Sequence, residues 1–302
     1  MASKRTVEVE VEGRRLKLSN LDKVLYPKAG FTKGQVIDYC TRVSPALLPH
    51  LRDRALTLKR YPDGVEGPHF YEKQCPSHRP DWVRTAPIEA KGKTIEFCVI
   101  DDLPTLIWAA NLADLELHTS LSLVQDVQRP TMVVFDLDPG EPADVLDCCE
   151  VALWVRSLLE QLGLETHVKT SGSKGLHFYI PLNTPVTYEE TKPFARALAR
   201  LMEKQHPDRV TSNMKKELRK GKVFIDWSQN NDFKTTVCVY SLRARERPTV
   251  ATPIAWEEVE QALEARDPGR LVFESDVVLQ RVAERGDLFE PLLTVEQSLP
   301  SL

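Results

Sequence analysis

Apolar and polar residues alternate from the start of the chain. Val7, Val9 and Val11 alternate with glutamates, Glu12-Gly13 supplies a turn, and Leu16 and Leu18 alternate again, the pattern of a β-hairpin. Thr32-Lys33-Gly34-Gln35 fits a capping box, and Val36, Ile37, Cys40 and Val43 continue at helical spacing. Short strands are expected near residues 56–59 and 96–100, and a helix over 105–115. The clearest amphipathic helix covers 144–162, through Val145, Leu146, Cys149, Leu153, Leu158, Leu159 and Leu162. Residues 166–169 and 176–181 read as strands around a small-residue loop, and 188–204 as a helix opened by Thr187-x-x-Glu190. Further strands are expected at 223–227 and 236–240, and a helix at 256–266. Strands and helices mix without strict alternation, which predicts an α/β (α+β) fold with mixed sheets. No internal repeat or low-complexity stretch appears, and the Pro-rich stretch 79–87 reads as a loop and not an obvious domain boundary.

The most apolar strand carries the most informative chemistry. Val133-Val134-Phe135-Asp136-Leu137-Asp138-Pro139-Gly140 ends in two aspartates one position apart. On a strand Asp136 and Asp138 project to the same face and Leu137 to the other. Two adjacent carboxylates need a cation between them or must share a proton. Solvated acids in a loop after the strand are the plain alternative; hard oxygen ligands for a divalent metal are the functional one. Lys222-Val223-Phe224-Ile225-Asp226-Trp227 is a second apolar strand ending in an aspartate. Asp226 alone would be a turn or cap residue, but beside the first pair it is the natural third ligand of a two-metal site.

Thr170-Ser171-Gly172-Ser173-Lys174-Gly175-Leu176-His177 could present donors to an anion, although the order is not that of a Walker A loop and a tight turn is the plain reading. His177 is either a satisfied core histidine or part of that site. Residues 215–222 hold five basic residues against one glutamate, and Arg243, Arg245 and Arg247 follow at spacings of two. Such runs are commonly solvated surface, but a triphosphate beside three carboxylates needs cationic partners, and arginine suits bidentate phosphate contacts. Phe70 and Tyr71 next to Lys73 form either a base-stacking platform or core packing. His69, Cys75 and His78 lack an evident fourth ligand for zinc.

Composition refines this picture only slightly. Of 302 residues, 42% are hydrophobic and 28% charged, which is ordinary for a globular protein able to bury a large core. The net charge of −4 argues mildly against nucleic-acid binding, but the basic residues cluster while the acidic surplus lies in helical stretches, leaving a locally basic site on an acidic body. Residues 1–17 lack the apolar core of a signal peptide and no run is apolar enough to span a membrane, so no membrane partner and a cytoplasmic, nucleoid-associated location are expected. Six cysteines without Cys-x-x-Cys spacing suggest neither a disulfide framework nor a zinc ribbon.

With these residues assembled, the chain resembles the polymerase domain of bacterial ATP-dependent DNA ligase D and stand-alone primase-polymerases, in the archaeo-eukaryotic primase superfamily. The resemblance is carried by ordered blocks: Leu18-Ser19-Asn20-Leu21-Asp22-Lys23-Val24-Leu25-Tyr26-Pro27, Thr57-Leu58-Lys59-Arg60-Tyr61-Pro62, Phe70-Tyr71-Glu72-Lys73-Gln74, Glu116-Leu117-His118, Asp136-Leu137-Asp138-Pro139-Gly140, residues 170–177, 223–230 and 240–243. It implies a primase-like catalytic core spanning 1–302 as one domain, with a part of about 1–130 holding a 5′-phosphate pocket and a part of about 131–302 holding most of the metal and nucleotide site. It implies template-dependent nucleotidyl transfer at gapped or broken, 5′-phosphorylated DNA, with ribonucleotides favoured over deoxyribonucleotides.

By the family pattern two Mn2+ or Mg2+ ions sit on Asp136, Asp138 and Asp226. Ser171, Lys174, Arg219, Gln229 and Arg243 contact the incoming nucleotide, with His177 nearby, His118 near the sugar and Lys59 at the border of the pocket. Asn20, Lys23 and Lys33 match the pocket for the downstream 5′-phosphate, and Phe70 and Tyr71 stack on bases at the gap. A DNA ligase and an end-binding protein are the implied partners. One departure is the short link of residues 119–134, without the longer Trp-containing insertion of some ligase-fused members, which leaves synapsis of two ends open. No ligase or nuclease module is recognised, so both a stand-alone enzyme and a piece of a fusion fit. Two other readings stand beside this one. The first is a non-catalytic DNA-end-binding module. The second is a phosphatase of the haloacid dehalogenase type, which also places Asp-x-Asp after an apolar strand but disfavours Gly140 two residues on.

Overall fold

A computed structural model describes residues 6–90 and 92–300; Met1 to Arg5 of the N-terminal stretch considered above lie outside them. The chain divides into two compact units. The first comprises Met1–Ser120, Val237–Val250 and Glu274–Gly286, and the second Leu121–Thr236, Ala251–Phe273 and Asp287–Leu302.

In the first unit the expected hairpin forms from Thr6–Val11 and Arg14–Ser19. Helix α1 (Lys33–Leu51) starts at Thr32, whose hydroxyl accepts the Gln35 N–H while Gln35 Oε1 accepts the Thr32 N–H, the reciprocal cap read from the sequence. Its apolar face of Val36, Ile37, Cys40, Val43 and Leu47 is buried. A mixed set of strands follows, with Leu56–Arg60 central. It pairs antiparallel with Phe70–Glu72, Lys93–Cys98 and Asp114–Thr119, and Thr85–Ala90 extends the sheet beyond Lys93–Cys98.

Two expectations fail here. Helix α2 (Leu103–Asn111) stops four residues earlier than the apolar pattern suggests, because Ala113 takes a left-handed conformation (φ 58°) and Asp114–Thr119 leaves as a strand. Cys75 and Cys98 form a disulfide with Cα atoms 4.9 Å apart, although the cysteine spacing suggests no disulfide framework. The two cysteines are separated by 23 positions in the chain, a spacing that no sequence rule reports. The bond also removes Cys75 from any zinc set with His69 and His78.

The second unit is built on a six-stranded sheet in the order Val210–Thr211, Val223–Asp226, Met132–Pro139, Leu176–Pro181, His167–Thr170, Pro253–Ile254. Helix α3 (Val145–Gln161) is opened by Asp144, which accepts the Leu146 N–H, and buries Cys148, Cys149, Val151, Val155 and Leu159. Helix α4 (Tyr188–Gln205) is opened at Thr187 by Glu190, and α5 (Trp256–Ala265) follows the edge strand. Val133, Phe135 and Leu137 are fully buried on one face of the central strand, with Phe178 stacked on Phe135 at 4.7 Å. The mixed α/β architecture is therefore the one the sequence predicts. Among the described residues no helix is long and apolar enough to cross a membrane.

Candidate functional site

Strand pairing puts the acidic residues side by side. Asp136 lies directly opposite Asp226, and Asp138 is two positions further along the same strand, so all three carboxylates share one face. Like charges directly opposite on a sheet destabilise it unless a cation intervenes. The row continues across the sheet, because His177 is opposite Asp136 and Lys169 is opposite His177. His177 Nε2 is 3.1 Å from Asp136 Oδ1 and His177 Nδ1 is 3.3 Å from Lys169 Nζ. An ammonium only donates, so Nδ1 accepts from Lys169 and the imidazole proton sits on Nε2, facing Asp136. Lys169 is 0% exposed. Sequence reading misses it, since a lysine on a short strand is ordinarily placed toward water; its only signal is even spacing from Ser171 on the same strand and loop.

Asp226 is held by the turn that follows it. Its Oδ1 accepts from Ser228 N (2.8 Å) and Oγ (2.6 Å), and its Oδ2 from Gln229 Nε2 (2.9 Å). Gln229 thus contacts the carboxylate expected to be its neighbour in a nucleotide site. Asn230 then bonds both the N–H and the carbonyl of Val134 with its side chain, extending the ladder where the backbone has turned away.

The three aspartates fit a hard divalent cation in donor type and in their like charge. They lie along a face and not around a point: among the described residues no three or more His, Cys, Asp or Glu converge as a closed metal centre.

The loop after Lys169 closes on itself. Ser171 Oγ accepts from Ser173 N (3.2 Å) and Gly175 N (3.1 Å), and Ser171 N donates to Gly175 O. Lys174 Nζ reaches Glu141 Oε1 at 2.9 Å on the open surface, a contact water screens and a stronger anion can displace. Two glycines set how closely these loops pack. A Cβ on Gly175 would lie 1.9 Å from Leu137 O, and one on Gly140 1.9 Å from Arg219 O. Gly140 is therefore required by the approach of the basic segment to the Asp138 turn. Arg219 stacks its guanidinium 3.6 Å from the Phe224 ring and donates to Met214 O, while its buried Nε has no partner among the described residues. A buried guanidinium N–H without an acceptor is rare in folded proteins and calls for an anion.

In the first unit, Lys59, His118 and Arg243 converge on one carboxylate. Glu116, 2% exposed, has Oε2 at 3.0 Å from Lys59 Nζ, 3.2 Å from His118 Nε2 and 3.5 Å from Arg243 Nε, while Oε1 accepts from Ala244 N and Tyr61 Oη. Burial alone would push the Glu116 carboxyl up, but the His118 hydrogen bond and the Arg243 and Lys59 charges hold it well below the usual carboxylate range. His118 is pushed down, first by burial and then by Arg243 and Lys59, with Glu116 opposing. Pairing explains the cluster: Lys59 lies opposite Glu116 and Thr57 opposite His118 on neighbouring strands. Reading residues 105–115 as helix hides this pairing, and with it the role of Glu116.

Phe70 and Tyr71 are 43% and 59% exposed, so neither is core packing. Arg60 lies over Phe70, and Lys59 over Tyr71 at 5.3 Å. Lys33, the first residue of α1, is buried and donates to Ser19 O (2.6 Å), while Lys23 donates to Pro62 O (2.5 Å) and Asp63 Oδ1 (2.9 Å). Burial, and then the nearby charges of Lys23 and Arg60, push the Lys33 amine down to about 8. Asn20 holds a left-handed backbone (φ 54°), which asparagine tolerates, and its carbonyl accepts the Lys23 N–H.

Comparison with known proteins gives consistent matches. A family model described as LigD, primase-polymerase domain, matches residues 32–289. The multifunctional non-homologous end joining protein LigD of Mycolicibacterium smegmatis is 44% identical over 280 residues, covering 92% of this chain and 36% of that protein. The bifunctional non-homologous end joining protein LigD of Bacillus subtilis is 34% identical over 273 residues, covering 90% of this chain and 43% of that protein. The chain thus spans well under half the length of these relatives. A solved polymerase domain from Mycobacterium tuberculosis Ligase D, in complex with DNA, superposes with a TM-score of 0.85 at 42% identity, covering 94% of this chain and 99% of that one.

Proposed function

Because this chain belongs to the LigD primase-polymerase domain family, we propose that it is a DNA-directed nucleotidyltransferase that fills short gaps at 5′-phosphorylated breaks in end-joining repair. The observation that carries the reading is the cross-strand placement of Asp136 opposite Asp226 with Asp138 on the same face. Asp136, Asp138 and Asp226 are assigned to two Mg2+ or Mn2+ ions, which when bound neutralise charge on the transferring phosphate. His177, fixed by Lys169, keeps a hydrogen bond on Asp136 and so restrains its carboxylate. Arg219, with its buried unmet Nε, and Lys174, Ser171 and Gln229 are assigned to the nucleoside triphosphate. In the first unit the same assignment is given to Lys59, His118 and Arg243, held by Glu116. Phosphoryl transfer asks a protein mainly to position and to neutralise, which these residues are equipped to do.

Asn20, Lys23 and Lys33 are assigned to the DNA 5′-phosphate, and exposed Phe70 and Tyr71 to bases at the gap. A separate or covalently joined ligase seals the product, with an end-binding protein as second partner, at chromosomal DNA in the cytoplasm. A ribonucleotide preference belongs to the same reading.

The test is a gap-filling assay on a gap with and without a 5′-phosphate, with each ribo- and deoxyribonucleotide, in Mg2+ and in Mn2+. Incorporation that depends on template and divalent metal is expected. Tight 5′-phosphate-dependent binding without incorporation would instead identify an end-binding module, and phosphate release from small phosphoesters a phosphatase.

Two expected results concern the 5′-phosphate pocket. Lys23→Ala with Lys33→Ala erases the preference for a 5′-phosphate, measured as the ratio of Kd values with and without it, and spares basal extension; an unchanged ratio overturns the assignment. In the wild type the same preference weakens, and the ratio rises toward one, as pH rises above about 8, because only protonated Lys33 attracts the phosphate and its amine is pushed down to about 8. A bound phosphate moves that midpoint upward, so the loss begins at or above this value. A ratio that is flat from pH 7 to pH 10 is the contrary outcome.

A further inference from the structure

One face of α4 repeats a cation every four residues: Lys192, Arg196, Arg200 and Lys204. Four residues advance about 6 Å along a helix and turn it slightly past a full circle, so these side chains form one ladder on one side. Like charges at this spacing destabilise a helix, and on most surfaces they are offset by carboxylates. Here two of the helix's three acids are engaged elsewhere, and Glu189 pairs with none of the four cations among the described residues. Glu190 Oε2 caps Thr187 through its N–H and Oγ1, and Glu203 accepts from Thr211 and Ser212. Among the described residues none of the four cations has an ion pair; Arg196 alone has a side-chain partner, its guanidinium lying 5.2 Å from the centre of the Trp227 ring. Several surface arginines of this unit are paired, Arg156 with Glu160 and Arg209 with Asp147 among them. On a chain of net charge −4, an uncompensated ladder is the exception.

The ladder also has a shape and a direction. Lys192, Pro193, Arg196, Ala197, Arg200 and Trp227 line a concavity of about 530 Å³. The Trp227 indole is locked by its Nε1–H bond to Ser212 O (3.2 Å), so the ring forms a fixed wall. Trp227 immediately follows Asp226 in the chain.

We propose that the exposed face of α4, with Trp227, is a nucleic-acid backbone site: a DNA strand lays successive phosphates on Lys192, Arg196 and Arg200 and rests a base or sugar against Trp227. The assignment rests on the polymerase reading for its purpose, since the strand it holds is one whose end reaches Asp226. It adds a second anchor on DNA, separate from the 5′-phosphate pocket at Lys23 and Lys33. The cations carry no base-specific geometry, so binding is independent of sequence and sensitive to salt. An arginine beside a fixed aromatic ring is the combination that single strands stack upon.

The test measures DNA affinity by fluorescence anisotropy from 50 to 300 mM salt, without nucleotide or metal, on recessed ends with and without a 5′-phosphate. The full chain is compared with the triple variant Lys192→Ala, Arg196→Ala, Arg200→Ala. Removing three phosphate contacts is expected to lower the slope of log affinity against log salt by about 2 to 3 and to weaken binding ~10-fold or more at low salt. The 5′-phosphate ratio stays unchanged, because that pocket is untouched. The double variant Lys192→Gln, Arg200→Gln, which leaves Arg196 on Trp227, is expected to lose about two-thirds of the same slope difference, and serves if the triple variant does not fold. An unchanged slope in either folded variant overturns the proposal. Extension by the wild type is scored separately. Failure of extension with a lost slope condemns the polymerase reading and keeps the binding site; normal extension with an unchanged slope condemns the site alone.

Discussion

Asp136→Asn combined with Asp226→Asn is expected to abolish extension of a gapped primer, a loss of ~1,000-fold or more, while DNA affinity is nearly unchanged. Several kcal/mol of charge stabilisation at the transferring phosphate disappear with the carboxylates, and each 1.36 kcal/mol is about tenfold in rate. The structure adds a second, opposite signature. Asp136 and Asp226 face each other across the sheet, so removing both charges relieves a repulsion that the folded protein otherwise bears. The amide oxygen that replaces the Asp136 carboxylate can still accept from His177 Nε2, and the one that replaces Asp226 Oδ1 can still accept from Ser228, while the new amide NH2 in place of Oδ2 keeps a partner only if Gln229 turns its own amide to present Oε1. The thermal midpoint measured without divalent metal should therefore hold or rise as activity vanishes. Appreciable extension by the double variant would sink the assignment of these aspartates. A collapse of the midpoint would show that they are needed for folding.

Glu116→Gln is expected to have the largest effect on stability. The substitution leaves Lys59, Arg243 and His118 around a neutral amide in a site that is almost closed to water. Removing one partner from a buried charge cluster costs about 3–5 kcal/mol, which for this size of protein lowers the midpoint by on the order of ten degrees. The pH dependence has a definite sign. The folded Glu116 carboxyl lies well below its ordinary value, so its contribution is complete above the unfolded carboxylate range, about pH 4.3, and is lost as pH falls toward the folded value. The difference in unfolding free energy between wild type and Glu116→Gln should narrow as the pH is taken from 6 to 3. A further readout separates the hub from a generic core defect. Glu116 is what raises the His118 value against burial and the neighbouring cations, so in the variant the imidazole titrates lower still, as NMR can follow. A midpoint within a degree of wild type would remove Glu116 from this role.

What the sequence discloses depends on how local the signal is. Helices α3 and α4 announce themselves through Asp144, Thr187 and Glu190 and their apolar repeats, and both strands bearing aspartates are visible as apolar runs that stop at an acid. The cross-strand facts are not visible. Nothing in residues 166–177 states that Lys169 will lie opposite His177, because pairing is decided by strands distant in the chain. The strand at Asp114–Thr119 is hidden because Leu115 and Leu117 continue the apolar content of the preceding helix, and the break rests on an alanine in a left-handed conformation, which carries no sequence flag. The basic segment at 215–222 is legible as charge but not as shape. Its usefulness comes from the close approach of Arg219 O to Gly140 and the stacking of Arg219 on Phe224.

The row Asp226, Asp136, His177, Lys169 has a consequence for how the chain finds its fold. Val133-Val134-Phe135 and Leu176, Phe178 and Ile180 are buried and greasy enough that a sheet of such strands offers many nearly equivalent alignments. Sliding any one of these strands by a single residue would turn its polar member into the Phe135–Leu137–Phe178 layer, stranding a charge among aromatic and aliphatic side chains. The polar row thus acts as a key that penalises every wrong alignment at once. Variants that neutralise it should be prone to mispairing and aggregation during refolding, even where the finished native state is as stable as before.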